Sequence, residues 1–457
     1  MKKNKLNIAP LLLLILSNII GLIIIILREE NTPETVVLFA GICIVSTVVC
    51  TLLIKCDMGD PYLFLIATML ATIGIVILLS ISELMKQFNE NYGNFGIENM
   101  EKYLIGVALF FITILIYRLF YKYLAKFTPI YFIVMMSLYV MTKLFGTSNN
   151  SDAKNWLFGM QPTEFIKILL VLTIAGILTY TKKKDEKKAE RIRYASSFGS
   201  KLAKKTNINR RIMLITAVVY LNMLFLLDQS ELGTILVMFL TLIAFLFAYD
   251  KNKIFLLLNV VLFSVVAIVA INYIDEIADL GISAAVKIEG RIKSWLTPTE
   301  YNPRTKTHYG YQVLKSIRNI RNGGFVGTGI ENAGASNGII PFGVLHADFI
   351  FAAICNEMGI MGGVAVLLLY FVLVYRGFKI AISTTNEFNK AVAFGLSTML
   401  GVQTFVIVGG VINLIPLTGI TLPFVSHGGS SMMSTFIMLG MLQAISSVKG
   451  DTTDEIE

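Results

Sequence analysis

Residues 212–249 read IMLITAVVYLNMLFLLDQSELGTILVMFLTLIAFLFAY, two apolar blocks parted only by Asp228-Gln229-Ser230-Glu231. Backbone amides can be satisfied inside hydrocarbon only by helices or closed barrels. Blocks near twenty residues, rising about 1.5 Å per residue as helix, cross a core of about 30 Å. The stretch therefore predicts two membrane-spanning helices joined by a tight turn at the bilayer boundary. Outward from it the pattern recurs at 8–27, 36–54, 61–81, 103–120, 127–145, 163–180, 254–273, 348–375, 388–413 and 430–447, which makes about 12 spans. The 457 residues are 55% hydrophobic and 15% charged, which excludes an ordinary soluble domain. The expected fold class is all-α, a polytopic membrane protein.

The formal charge of +9 reports topology before it reports a partner, and no nucleic acid is expected. The densest basic run, 181–211, includes Lys182, Lys183, Lys184, Lys187, Lys188, Arg191, Arg193, Lys201, Lys204, Lys205, Arg210 and Arg211. The positive-inside bias makes this run a cytoplasmic loop. Lys2, Lys3, Lys5, the 121–126 turn, Lys251, Lys253 and Arg376 then fall inside too. An even number of spans puts both termini in the cytoplasm and sends 82–102, 146–162, 228–231, 274–347 and 414–429 outside. The apolar stretch from Ile8 has no small-residue cleavage pattern before Arg28, so it reads as a retained span. Cys43, Cys50, Cys56 and Cys355 show neither disulfide-framework nor metal-ligand spacing.

The large outer segment 274–347 is basic. Within it Val313, Leu314, Ile317 and Ile320 recur at helical spacing, with Lys315, Arg318 and Arg321 on another face. This pattern predicts a short helix lying in the interface, its basic side meeting either anionic headgroups or a phosphorylated ligand.

Four polar breaks could carry chemistry. Pro162 suits a first helical turn near the outer surface, and Glu164 and Lys167, three residues apart, share a face. They form either a helix-holding ion pair or part of a site. At 228–234 the carboxylates could bind a divalent cation or cap a helix, and spacing favours the cap. The glycines at 323, 324, 327 and 329 would let backbone approach a bulky ligand, and Asp348 heads an apolar run to Tyr375. Counted along one straight helix, Asp348 sits about 10 Å beyond the hydrocarbon edge. Glu357 falls on the opposite face and reads as structural. The segment 415–431 is rich in Pro and Gly yet apolar, which suits a half-buried re-entrant loop lining a cleft.

These breaks, in this order, resemble the SEDS family (shape, elongation, division and sporulation), whose members include RodA, FtsW and SpoVE. The resemblance covers about residues 59 to 448. It rests on Trp156 with Gln161-Pro162-Thr163-Glu164 and Lys167; Ser230-Glu231-Leu232-Gly233-Thr234; Tyr311-Gln312 and Gly323-Gly324; Asp348 through Ala352; and Pro423 through Ser431. Departures are His427 where the family has Tyr, Glu231 for Asp, and Asn356 for the first acid of a Glu-Glu pair. The family usually has ten spans, so residues 1–58 look like an added two-span segment, followed by a polymerase core at 59–448 and a cytoplasmic tail at 449–457.

The resemblance implies a peptidoglycan glycosyltransferase in the bacterial cytoplasmic membrane, joining lipid II units into undecaprenyl-linked glycan on the outer face. It implies Asp348 as the catalytic residue. The implied substrate-binding residues are Trp156, Gln161, Glu164, Lys167, Glu231, Tyr311, Gln312, Arg318, Ser426 and His427. Lys167 and Arg318, or a divalent cation such as Mg or Mn, would stabilise the departing pyrophosphate. No transpeptidase domain is present in the sequence, so the implied partner is a class B penicillin-binding protein. Two other classes fit the broken helices: a flippase for lipid-linked precursor, whose sites are expected near the midplane, and a noncatalytic scaffold.

Overall fold

The computed structural model describes residues 8–27, 32–88, 93–147, 155–193, 199–250, 253–279, 283–330 and 339–448. The amino-terminal lysines, Lys251 and the 449–457 tail lie outside the described residues, and of the basic run only Arg210 and Arg211 have described side chains. The helices are α1 (Ala9–Leu27), α2 (Pro33–Lys55), α3 (Pro61–Phe88), α4 (Phe95–Phe120), α5 (Thr128–Phe145), α6 (Pro162–Arg193), α7 (Gly199–Asp228), α8 (Leu232–Tyr249), α9 (Lys253–Asp279), α10 (Ser283–Leu296), α11 (Tyr311–Gly323), α12 (Ile350–Ser383), α13 (Glu387–Val411) and α14 (Gly429–Ser447). A two-residue hairpin, β1 (Tyr301–Asn302) with β2 (Thr307–His308), is the one sheet among the described residues.

Eleven of these helices are long and apolar enough to cross a membrane. They correspond to the expected blocks except 430–447. That block forms α14, whose serines and Gln443 lower its hydropathy and whose residues are mostly buried within the protein. The chain is a multi-pass membrane protein and all-α.

Two compact units divide the chain. The first holds residues 1–118, 294–380 and 403–457; the second holds 119–293 and 381–402. In the first, α3 is buried along most of its apolar length. α1 packs on it where Gly21 leaves room for Thr72. A side-chain bond joins α1 to α2, Asn18 Nδ2 donating to Ser46 Oγ at 2.9 Å. In the second unit α6 is largely buried, whereas α9 exposes Leu258, Leu262, Val265 and Val269, as a lipid-facing helix does.

Three expectations change, two about boundaries and one about a buried face. The 181–211 run is built mainly as continuations of α6 and α7 rather than as a loop. Lys, Glu and Arg end a membrane span by their charge but are good helix formers. Helix α4 starts at Phe95, well before 103: Asn94 Oδ1 accepts from the Ile97 N–H at 3.2 Å, and Glu98 lies in the first turn, where a carboxylate complements the dipole. Helix α11 forms where expected, but its buried face is Val313, Ser316, Asn319 and Gly323, and Ile317 is exposed. Hydrogen bonding sets that face. Ser316 Oγ donates to the Val411 carbonyl at 2.9 Å, and Asn319 Nδ2 and Oδ1 pair with the Ile340 backbone at 3.1 and 2.7 Å.

The glycine-rich segment also has a different use. A Cβ on Gly323 would stand 2.0 Å from the Cys355 carbonyl, and one on Gly327 would stand 2.2 Å from that of Glu357. Thr328 and Gly329 N–H groups donate to the Asn356 and Glu357 carbonyls, while Ile360 N–H donates to Gly324. Gly323 and Gly327 thus closely approach the backbone of α12. Helix α12 breaks at Gly359 (φ 70°), so it is two segments, and a depth reckoned along one straight helix does not transfer to Asp348.

Candidate functional site

Asp348 lies in the turn ahead of α12, half-buried, its N–H donating to the Val344 carbonyl at 3.2 Å. It is not on the helix, so the opposite-face count to Glu357 has no helical basis. Glu357 is 2% exposed and its carboxylate accepts from Ser80 Oγ of α3.

The last loop, 415–428, is largely buried and non-helical, and its backbone is satisfied by side chains. Gln403 Nε2 donates to the Thr421 carbonyl at 2.9 Å, Tyr370 donates to the Pro423 carbonyl, and the Leu422 N–H donates to Ser426 Oγ at 2.9 Å. Ser426 is 3% exposed and its hydroxyl donates to the Ala347 carbonyl at 2.7 Å; those bonds engage it within the protein. His427 also touches the turn, its N–H donating to the His346 carbonyl at 3.0 Å. Burial lowers the His346 pKa to about 4, with His427 adding to the effect. Burial likewise lowers His427, against the opposing pull of Glu98 and the Phe95 backbone. Phe95 and Glu98 were not singled out in the sequence because the α4 start was read as loop. The signal was there: Phe95, Glu98 and Lys102 follow one another at spacings of three and four.

Also in the first unit, α11 presents Tyr311, Gln312, Arg318 and Arg321 outward. The Lys315 ammonium lies 4.5 Å over the Tyr311 ring and donates to the Pro341 carbonyl at 3.0 Å. Arg318 is an exposed residue.

The second unit gathers a separate set. Glu231 occupies the N-cap position of α8 but its side chain makes no capping bond, contrary to the expected cap. Its Oε1 accepts instead from Gln161 Nε2 at 2.8 Å and Asn155 Nδ2 at 3.2 Å, and its Oε2 from Thr234 Oγ1 at 3.2 Å. Burial raises the Glu231 pKa, the Gln161 bond and Arg291 opposing. Positive φ at Ser230 (58°) makes the tight turn. Glu164 and Lys167 form an ion pair at 2.9 Å, with side chains 6% and 1% exposed. Trp156 is half-buried, its backbone bridged to Thr147. Sequence motifs thus mark two clusters, one in each unit.

Among the described residues no three His, Cys, Asp or Glu side chains converge to hold a metal ion.

The family model of FtsW/RodA/SpoVE cell cycle proteins matches residues 61–450. The peptidoglycan glycosyltransferase RodA of Mycobacterium tuberculosis is 28% identical over 396 residues, 85% of this chain and 78% of the relative. The stage V sporulation protein E of Bacillus subtilis is 28% identical over 394 residues, 85% of this chain and 96% of the relative. Among solved structures, a chain of "Structural coordination of polymerization and crosslinking by a peptidoglycan synthase complex" matches with a TM-score of 0.59 and 23% identity, covering 85% of this chain and 97% of that one. Helices α1 and α2 precede the matched region.

Proposed function

Because the chain belongs to the FtsW/RodA/SpoVE family of cell cycle proteins, we propose a mechanism for it as a peptidoglycan glycosyltransferase, with lipid II as the substrate it polymerises. Asp348 is the general base: it takes the proton of the acceptor sugar hydroxyl as that oxygen attacks the anomeric carbon of the donor, and the lipid pyrophosphate departs. General-base catalysis of this kind contributes about 10²–10⁴ in rate. The observation that carries the reading is the half-buried placement of Asp348 in a turn before α12, its neighbouring backbone fixed by Ser426 and His427.

The exposed Arg318 is the group to meet the pyrophosphate, where a charge-assisted bond strengthens as negative charge develops. Lys167, already paired with Glu164 and 1% exposed, serves the architecture of its unit. The reaction takes place on the extracytoplasmic side, with both termini in the cytoplasm. A class B penicillin-binding protein crosslinks the product strands.

The test is a pair of assays on the purified protein in vesicles, one for glycan polymer and one for transbilayer movement of lipid II. Polymer without movement supports the reading; movement without polymer replaces it with a flippase, and neither activity with a scaffold.

A further inference from the structure

Asp348 precedes its helix: its N–H donates to the Val344 carbonyl at 3.2 Å, and the backbone of His346 and Ala347 leads directly into it. Two elements hold that dipeptide. From the last loop come the His427 N–H to the His346 carbonyl at 3.0 Å and Ser426 Oγ to the Ala347 carbonyl at 2.7 Å. From the first turns of α4, the Phe95 ring stacks on the His346 imidazole, centroids 3.9 Å apart and planes within 3°. The same ring lies 5.0 Å from the His427 imidazole, and the two imidazoles are 5.6 Å apart.

The ring of His427 also meets α4: its Nε2 stands 3.4 Å from Glu98 Oε2, and the imidazole hydrogen-bonds the Phe95 backbone. Glu98 follows Phe95 by three residues and so shares its face of α4. Lys102, four residues further on that face, lays its methylenes against Gly429, at the start of α14. One helix face thus reaches the ring of His346 through Phe95, and the backbone of His346 through Glu98 and His427.

We propose that Glu98 is a positioning residue for glycosyl transfer, holding His427 so that the His427–His346 contact keeps Asp348 aimed at the acceptor. The inference rests on the reading of Asp348 as general base. A general base works over a narrow range of distance, and a misplacement near 1 Å costs on the order of 10²-fold. Glu98 itself touches neither substrate nor the reacting atoms in this account. Its signature is therefore a loss in kcat at nearly constant KM, shared with His427 rather than added to it.

The experiment measures lipid II polymerisation by the purified full-length protein and its Glu98→Ala, Glu98→Gln, His427→Ala, double alanine and Asp348→Asn variants. Expected are a drop in kcat of roughly tenfold for each alanine variant with KM within about twofold, and no further drop in the double variant. Glu98→Gln, which keeps an oxygen toward His427, recovers most of the rate. If the alanine variants do not fold, His427→Phe carries the test: it keeps a ring against Phe95 without the polar contact and should lose kcat similarly. Wild-type kcat in Glu98→Ala or His427→Phe, a raised KM at unchanged kcat, or multiplicative losses in the double variant would each overturn the proposal while an inactive Asp348→Asn leaves the underlying reading intact. An active Asp348→Asn removes that reading itself.

Discussion

Gln161 donates its side-chain amide to the Glu231 carboxylate at 2.8 Å across 70 residues of sequence, fastening the start of α6 to the start of α8. Asn155 and Thr234 donate to the same buried acid. Glu231→Ala leaves these donors without an acceptor and should destabilise the protein by about 3 kcal/mol. Glu231→Gln keeps the shape and one acceptor oxygen and should cost about 1 kcal/mol. Thermal melting in detergent measures the difference, and equal losses for both variants would contradict the hydrogen-bond account.

The Glu164–Lys167 pair predicts a different pattern. Lys167→Ala strands a buried carboxylate and should cost about 3–5 kcal/mol, whereas replacing both partners with neutral residues of similar volume should cost much less. The comparison of Lys167→Met with the double variant Glu164→Gln/Lys167→Met reads this directly: partial recovery in the double variant is expected.

At Gly359 the backbone has φ 70°, and a Cβ would stand 2.3 Å from the Phe325 carbonyl. Gly359→Ala should therefore cost at least about 1–3 kcal/mol in strain alone. Gly324, also at positive φ (57°) but with open space around it, should tolerate Ala better. Melting temperatures of the two variants rank the effects, and the reverse order would refute the close-packing argument.

His346 gives the pH dependence a sign. Its folded pKa of about 4 lies below the unfolded 6.5, so between these values the unfolded chain binds more protons. Its contribution to stability is present above about pH 6.5 and is lost as pH falls toward 4. Melting temperature should decline over that window in the wild type, and less steeply in His346→Gln.

The spans were legible because their information is local: blocks such as 232–249 carry enough apolar length to announce a helix whatever surrounds them. The start of α4 was read as loop because Glu98, Glu101 and Lys102 break the apolar run, although Asn94 and Glu98 mark a helix start locally; its contact with the turn at His346 is tertiary and was not legible. The glycines of 323–329 were visible as special but ambiguous, since sequence does not say whether backbone approaches a ligand or another backbone. In the same way Glu231 stood where a cap belongs, yet Gln161, far away in the chain, claims its carboxylate. Asp348 itself was singled out by its motif. The clamp on its neighbours was not, being assembled from α4, the turn and the last loop.

Polymer formation by purified Asp348→Asn protein supplied with lipid II tests the account most directly. The account predicts loss of glycan strands by at least about 10²-fold, with a melting curve matching the wild type. Strand synthesis at the wild-type rate by the folded variant would contradict it.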